Sequence, residues 1–245
     1  VTMLSALVYL LWKKQFTLKI AFGDIGKVSL SIIKVGIAPF GLAMTPNLSM
    51  IIINRFSVFY GGEQAIATYA SIGYVMSIIY LILQGVGDGS QPIMSKYYGE
   101  KAFDRLKNIM RLANGSGILL SVIGCVIMYV ARADIGLLFG TSNEVNAEIQ
   151  KTIPIFLISV PFVSINRITT ASFYATEKSI FSYILSFVEP IFMLILMLIL
   201  PTLFGGQIMI WWSTVFARIL SAILALILKQ HADEKEILVS ANNEY

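Results

Sequence analysis

Six apolar stretches, at about residues 28–54, 65–95, 106–131, 149–174, 179–203 and 206–229, dominate this sequence. Each is long enough to cross a bilayer as a helix, which takes about 20 predominantly apolar residues. Inside lipid every backbone N–H and C=O must be satisfied within the protein, and a helix does this within one segment. The expected fold is therefore an all-α membrane protein, a six-transmembrane-helix bundle. The charge content agrees: 13% of the 245 residues are charged, against about 25% in soluble domains.

The basic residues orient the bundle. One set of alternate loops, with the tail, holds Lys13, Lys14, Lys19, Lys27, the five basic residues from Lys96 to Arg111, then Lys178, Lys229 and Lys235. The opposite side holds Arg55, Arg132 and Lys151. The excess of Lys and Arg marks the cytoplasmic face. The protein is expected to be multi-pass in the cell membrane with a cytoplasmic C-terminus. The lipid bilayer is then a partner along its whole apolar surface.

Several function classes fall away. The net charge of +4 comes from residues dispersed among loops, with no basic face interleaved with aromatics, so nucleic acid is not an expected partner. One cysteine (Cys125) and one histidine (His231) exclude a zinc site built from those types. Nothing resembling the phosphate-cradling GxxxxGK[ST] loop occurs. With no Ser-His-Asp or Cys-His set, an enzyme is not expected.

Residues 1–12 are apolar and are followed by Lys13 and Lys14, whereas a signal peptide carries its charges first. They read as the tail of a preceding transmembrane helix. Residues 13–27 read as a cytoplasmic linker, 28–230 as the six-helix bundle and 231–245 as a cytoplasmic tail. The loops are placed at Gly61-Gly62, 131–148, 175–179 and 201–206. Phe103, Leu106, Ile109 and Met110 follow helical spacing ahead of the third span, as an amphipathic lead-in would.

Polar groups at membrane depth are expensive and by default functional. Glu189 and Arg218 each lie about 15 Å into their spans at 1.5 Å per residue. They are expected to pair across the last hairpin, with Arg167 able to compete for the carboxylate. Asp88 lies in the glycine-rich segment Gln84–Gly99, where Gly85, Gly87, Gly89 and Pro92 are expected to loosen the helix. Pro39 and Pro46 are expected to bend or break the first span, a pattern that points to transporter binding sites. Thr45, Asn47 and Asn54 are able to line a cavity or to satisfy carbonyls that proline leaves unpaired. Met44, Met50, Met76, Phe173 and Tyr174 suit contact with flat cations.

Several stretches together resemble one family. They are KVGIAPFGLAMTPN (34–47), INRFSVFYGGEQAIATYA (53–70), QGVGDGSQPIMSKYYGE (84–100), LFGTSNEV (138–145), TASFYATEKS (170–179) and SFVEP (186–190). In this order they resemble the C-terminal half of a multidrug and toxic compound extrusion (MATE) transporter, and the Gln91-Pro92…Gly99 pattern is the most specific of them. The resemblance implies one lobe of a twelve-helix protein, whose N-terminal lobe would be the partner. It implies efflux of small organic cations by antiport with Na+ or H+, the two lobes rocking to alternate access, with no other cofactor. Some members carry a glutamate where this chain has Asn47. The substrate and ion pathway is expected among Asn47, Asn54, Gln84, Asp88, Gln91, Arg167, Tyr174, Glu189 and Arg218. A lipid-linked oligosaccharide flippase of the same superfamily and a non-transporting membrane scaffold are the competing readings.

Overall fold

The computed structural model describes residues 2–13 and 25–242. Eight helices and no strand occur among them. They are α1 (Thr2–Trp12), α2 (Ile25–Gly99), α3 (Phe103–Ala131), α4 (Ile135–Leu138), α5 (Asn143–Ile158), α6 (Val160–Ala175), α7 (Ser179–Phe204) and α8 (Ile208–Asn242). The chain divides into a short unit, Val1–Ile37, and a large one, Ala38–Tyr245. The short unit holds α1 and the first turns of α2. Most of the expected linker, residues 14–24, lies outside the described residues. Everything below concerns the large unit.

Its apolar stretch Ala43–Gly99 is 57 residues long, about 85 Å as one straight helix and far more than a bilayer core of about 30 Å. Gly62 resolves this. It alone within α2 leaves helical dihedrals, with φ 64° and ψ −158°. The residues on its two sides then run back past each other, since Thr45–Met50 and Tyr69–Tyr80 line one cavity. The two arms of α2 are thus the first two spans. With α3, the α5–α6 pair, α7 and α8, the described residues hold six crossings, as the hydropathy predicts.

Four local expectations need correction. The backbone dihedrals stay helical through Pro39, Pro46 and Pro92, so of the expected bend or break the break does not occur. The glycines around Asp88 likewise sit in unbroken helix up to Gly99. The predicted fourth span is two helices meeting at 43° across Ser159. Pro161 explains the break. It has no N–H for the Leu157 carbonyl and crowds the preceding turn, and the Cys125 thiol donates to that carbonyl instead at 3.5 Å. Finally, the predicted 131–148 loop contains α4 and the start of α5. Ser142 caps α5 by accepting from the Val145 N–H, and α8 runs helical to Asn242 into the predicted tail.

One core binds all six crossings, α3 through Met128. Ile53, Ile72, Met76, Ile153, Phe156, Met197 and Trp211 are all buried in it. Trp211 stacks on Tyr69 at 5.9 Å between centroids and meets Phe156 at 5.6 Å. A second cluster packs Leu106, Met110 and Ala113 of α3 against Met94 and Ile168. The predicted amphipathic lead-in is therefore one helix with the third span, with Lys107 and Arg111 exposed on its other side. The outer surface keeps Ile78, Leu81, Leu119, Val126 and Ile195 exposed, as a lipid-facing wall requires. The interior holds many small hydroxyl residues, including Ser164, Thr169, Thr170 and Ser172 on α6. Such residues let membrane helices approach closely and bond across.

The first arm of α2 meets α7 in this way. A Cβ on Gly41 would lie 2.9 Å from Ser186 Cβ and from the Phe187 ring, so only glycine permits the approach. Nearby, the Thr45 hydroxyl donates to the Ser186 carbonyl. Pro190 sits four residues after Ser186 and cannot supply the N–H that this carbonyl would take in a regular helix. Thr45 substitutes for it from a neighbouring helix. Thr45→Val is expected to cost about 1 kcal/mol, the scale of one hydrogen bond between membrane helices, read as a lower unfolding temperature in detergent. A variant as stable as wild type would show the Ser186 carbonyl satisfied otherwise.

Candidate functional site

The site is a cavity of about 250 Å3 within the large unit. Both arms of α2 form part of its wall, through Thr45, Pro46, Asn47, Ser49 and Met50 and through Tyr69, Tyr74, Met76 and Tyr80. Phe156, Val163 and Arg167 close it from α5 and α6, Glu189 from α7 and Arg218 from α8.

Its centre is an ion pair. Arg218 Nε donates to Glu189 Oε1 at 3.2 Å, and both residues are only 7% exposed. The same guanidinium donates through Nη1 to the Tyr80 hydroxyl at 2.7 Å and to Ser159 Oγ at 3.1 Å. Its carbon lies 5.1 Å from the Tyr80 ring centroid. A buried charge is tolerated when it is paired and its remaining donors are used. Here one arginine ties α8 to α7, to the second arm of α2 and to the α5–α6 bend. Ser159 sits at the bend itself, and its hydroxyl, which accepts from Arg218, donates to the Phe156 carbonyl at 2.6 Å.

The predicted Glu189–Arg218 pair is thus present. Arg167 lines the same cavity, near enough for the charges of Glu189 and Arg218 to act on it. Asn47 lines it too, its amide donating to the Ala43 carbonyl at 3.3 Å. Ser49 Oγ is buried in the wall without a hydrogen-bond partner among the described residues.

The other predicted residues lie outside the cavity wall. Asp88 is exposed and accepts a long bond from Gln84 Nε2 at 3.5 Å. Gln91 and Tyr174 are half-buried away from the cavity, and Asn54 holds a buried Oδ1 with no partner among the described residues. The described residues contain no cluster of three or more His, Cys, Asp or Glu suited to a metal. Of the residues proposed for flat cations, Met50 and Met76 reach the cavity, while Phe173 is packed in another cluster against Leu185 and Ala225.

Sequence reasoning missed Tyr69, Tyr80 and Ser159. The two tyrosines had a signal: Tyr69, Gly73, Met76 and Tyr80 follow the spacing of one helical face, with polar tips in an otherwise apolar run. Ser159, two residues before Pro161, had the weaker signal of a polar residue at a helix break.

Two helical arms, a bent fourth crossing and a closing hairpin thus surround a buried ion pair. A family model described as MatE matches residues 39–199. The chain belongs to the MatE family. Solved structures share the fold. An outward-facing multidrug resistance MATE family transporter of the MOP superfamily matches with a TM-score of 0.81 at 16% identity, over 91% of this chain and 51% of that one. MATE in the straight conformation matches at 0.82 and 16%, over 99% and 55%. A MOP superfamily transporter from Pyrococcus furiosus Vc1 (DSM3638), described as having a binding pocket of reverse polarity, matches at 0.79 and 16%, over 91% and 52%. The chain spans about half the length of the structures it matches. A search of curated protein sequences found no match.

Proposed function

We propose that this chain works as the C-terminal half of a two-lobe secondary transporter. Paired with an N-terminal lobe, it would export small amphipathic organic compounds by antiport with Na+ or H+. The observation that carries this reading is the buried ion pair facing an intramembrane cavity, within a lobe of MATE-type fold. Ionisable groups at such depth are retained where a pathway uses them. Rocking of the two lobes would expose the cavity to either side in turn. Organic cations are the substrates the sequence resemblance implies, and the apolar wall of Met50, Tyr74, Met76 and Phe156 suits any flat apolar body of that kind.

The test is efflux from cells or proteoliposomes carrying the full-length protein. Ethidium and a panel of amphipathic dyes should leave faster than from controls. That excess should vanish when the Na+ and H+ gradients are both collapsed by ionophores. If no dye moves under either gradient, the transport reading is wrong.

A further inference from the structure

We propose that an acidic phospholipid docks at the basic end of the bundle, its head group held by Lys107 and Arg111 of α3 and Lys229 of α8. α6 packs against both of these helices. At this end its Ala175 joins Leu106 and Met110 of α3, and its Phe173 joins Ala225, Leu228 and Ala232 of α8. Lys107 and Arg111 follow directly on Leu106 and Met110 and are exposed one turn apart, while Lys229 follows Leu228 and is half-buried. The three bases therefore flank the last turns of α6, close enough for the charges of Lys107 and Arg111 to act on Lys229.

Gathering like charges is unfavourable, most of all where one of them is partly removed from water. Asp233 opposes them from α8, and Asp104 stands one turn before Lys107. None of the three bases joins an ion pair among the described residues. The general excess of Lys and Arg at this end orients the bundle, but scattered loop residues meet that need without a cluster drawn from two helices. An anionic phosphate offsets the cluster. The depth selects a lipid as its source. The run from Ile208 to Lys229 measures about 32 Å along α8, and that from Arg111 to Ala131 about 30 Å along α3, at 1.5 Å per residue. Both match a hydrocarbon core about 30 Å thick, which sets the bases at head-group level. Deeper along the two helices the exposed side chains are apolar, Ile118 and Val122 on α3 and Leu226 on α8. Acyl chains would lie on these while the phosphate meets the bases, as in basic pockets between membrane helices that hold acidic head groups.

Lipid binding tests this site without reference to transport. The full-length protein, delipidated in neutral detergent, would be mixed with phosphatidylglycerol or with phosphatidylcholine of the same chains. Native mass spectrometry would read the lipid retained, and unfolding temperatures would be followed alongside. Phosphatidylglycerol should stay bound and raise the unfolding temperature, and phosphatidylcholine should do neither. Lys229→Gln should weaken phosphatidylglycerol binding by about fivefold, the scale of one basic residue at an anionic membrane surface, while Lys229→Arg should keep it. Lys107→Gln/Arg111→Gln should weaken it further. Both of those side chains are exposed, so this variant reads the site without disturbing the packing beneath Lys229. Lys151→Gln, an exposed lysine at the opposite end, should leave binding unchanged. Equal retention of the two lipids would overturn the proposal. So would phosphatidylglycerol binding that is unchanged in both Lys229→Gln and Lys107→Gln/Arg111→Gln. Displacement of phosphatidylglycerol by inorganic phosphate would assign the cluster to a soluble anion and would also overturn it.

Discussion

Arg218→Met is expected to destabilise the purified protein by about 3–5 kcal/mol, the cost of stranding one partner of a buried ion pair. Glu189, only 7% exposed, would lose the guanidinium it is hydrogen-bonded to, with the Arg167 charge nearby left to act on it. Tyr80 and Ser159 would each lose a donor. Glu189→Gln should cost less, because an amide oxygen still accepts from Arg218 Nε, although the guanidinium charge then loses its carboxylate. The double variant Glu189→Gln/Arg218→Met should recover a large part of the loss, since a buried pair replaced by neutral groups of similar volume is often close to neutral. Thermal unfolding in detergent provides the measurement, with the buried, aromatic-packed Trp211 as reporter. Additive losses in the double variant would show that the two residues act independently, and the pair would then not be the tie between helices described above.

How far the sequence foretold this site can be judged residue by residue. The six spans were legible because lipid imposes one rule, long apolar runs, that needs no knowledge of tertiary contacts. The Glu189–Arg218 pair was legible for a related reason: two charges at equal depth on adjacent antiparallel helices have few other places to go. Asp88 was misleading. Its glycines and proline looked like a broken helix, yet neighbouring helices hold the segment in regular geometry, and a Cβ on Gly87 would sit 3.3 Å from Ala171. Gly87 serves packing there, whereas a Cβ on Gly85 or Gly89 would meet nothing within 4 Å. The partners of Arg218 were invisible because Tyr80 and Ser159 stand 138 and 59 positions away from it. No local pattern relates residues so far apart. Pro161 illustrates the same limit in reverse. The 149–174 run holds two prolines, Pro154 inside the helix and Pro161 at its break, and the second was not read as a bend, although Ser159 at that bend is what meets the arginine.

The second large effect is expected at Gly62, where the chain reverses between the first two spans. Its dihedrals, φ 64° and ψ −158°, fall in a region essentially reserved for glycine, where any other residue costs on the order of 1–3 kcal/mol or more. Space is not the constraint, since a Cβ there would meet nothing within 4 Å. The penalty should therefore appear already with Gly62→Ala and grow with Gly62→Val, whose branched side chain restricts the backbone further. Asparagine should not rescue it: Asn tolerates the ordinary left-handed region near ψ +47°, and this ψ lies far from that. Gly61 offers the contrast. Its φ is not positive, but its Cβ would approach Ala65 Cβ at 2.6 Å and the Gln207 side chain at 2.8 Å, so substitutions there should worsen with side-chain size. Size-exclusion profiles and unfolding temperatures of the two series would separate backbone strain from crowding. Wild-type stability in Gly62→Ala would mean that the turn has another conformation open to it. The two arms, and with them the cavity wall they share, would then not depend on this glycine.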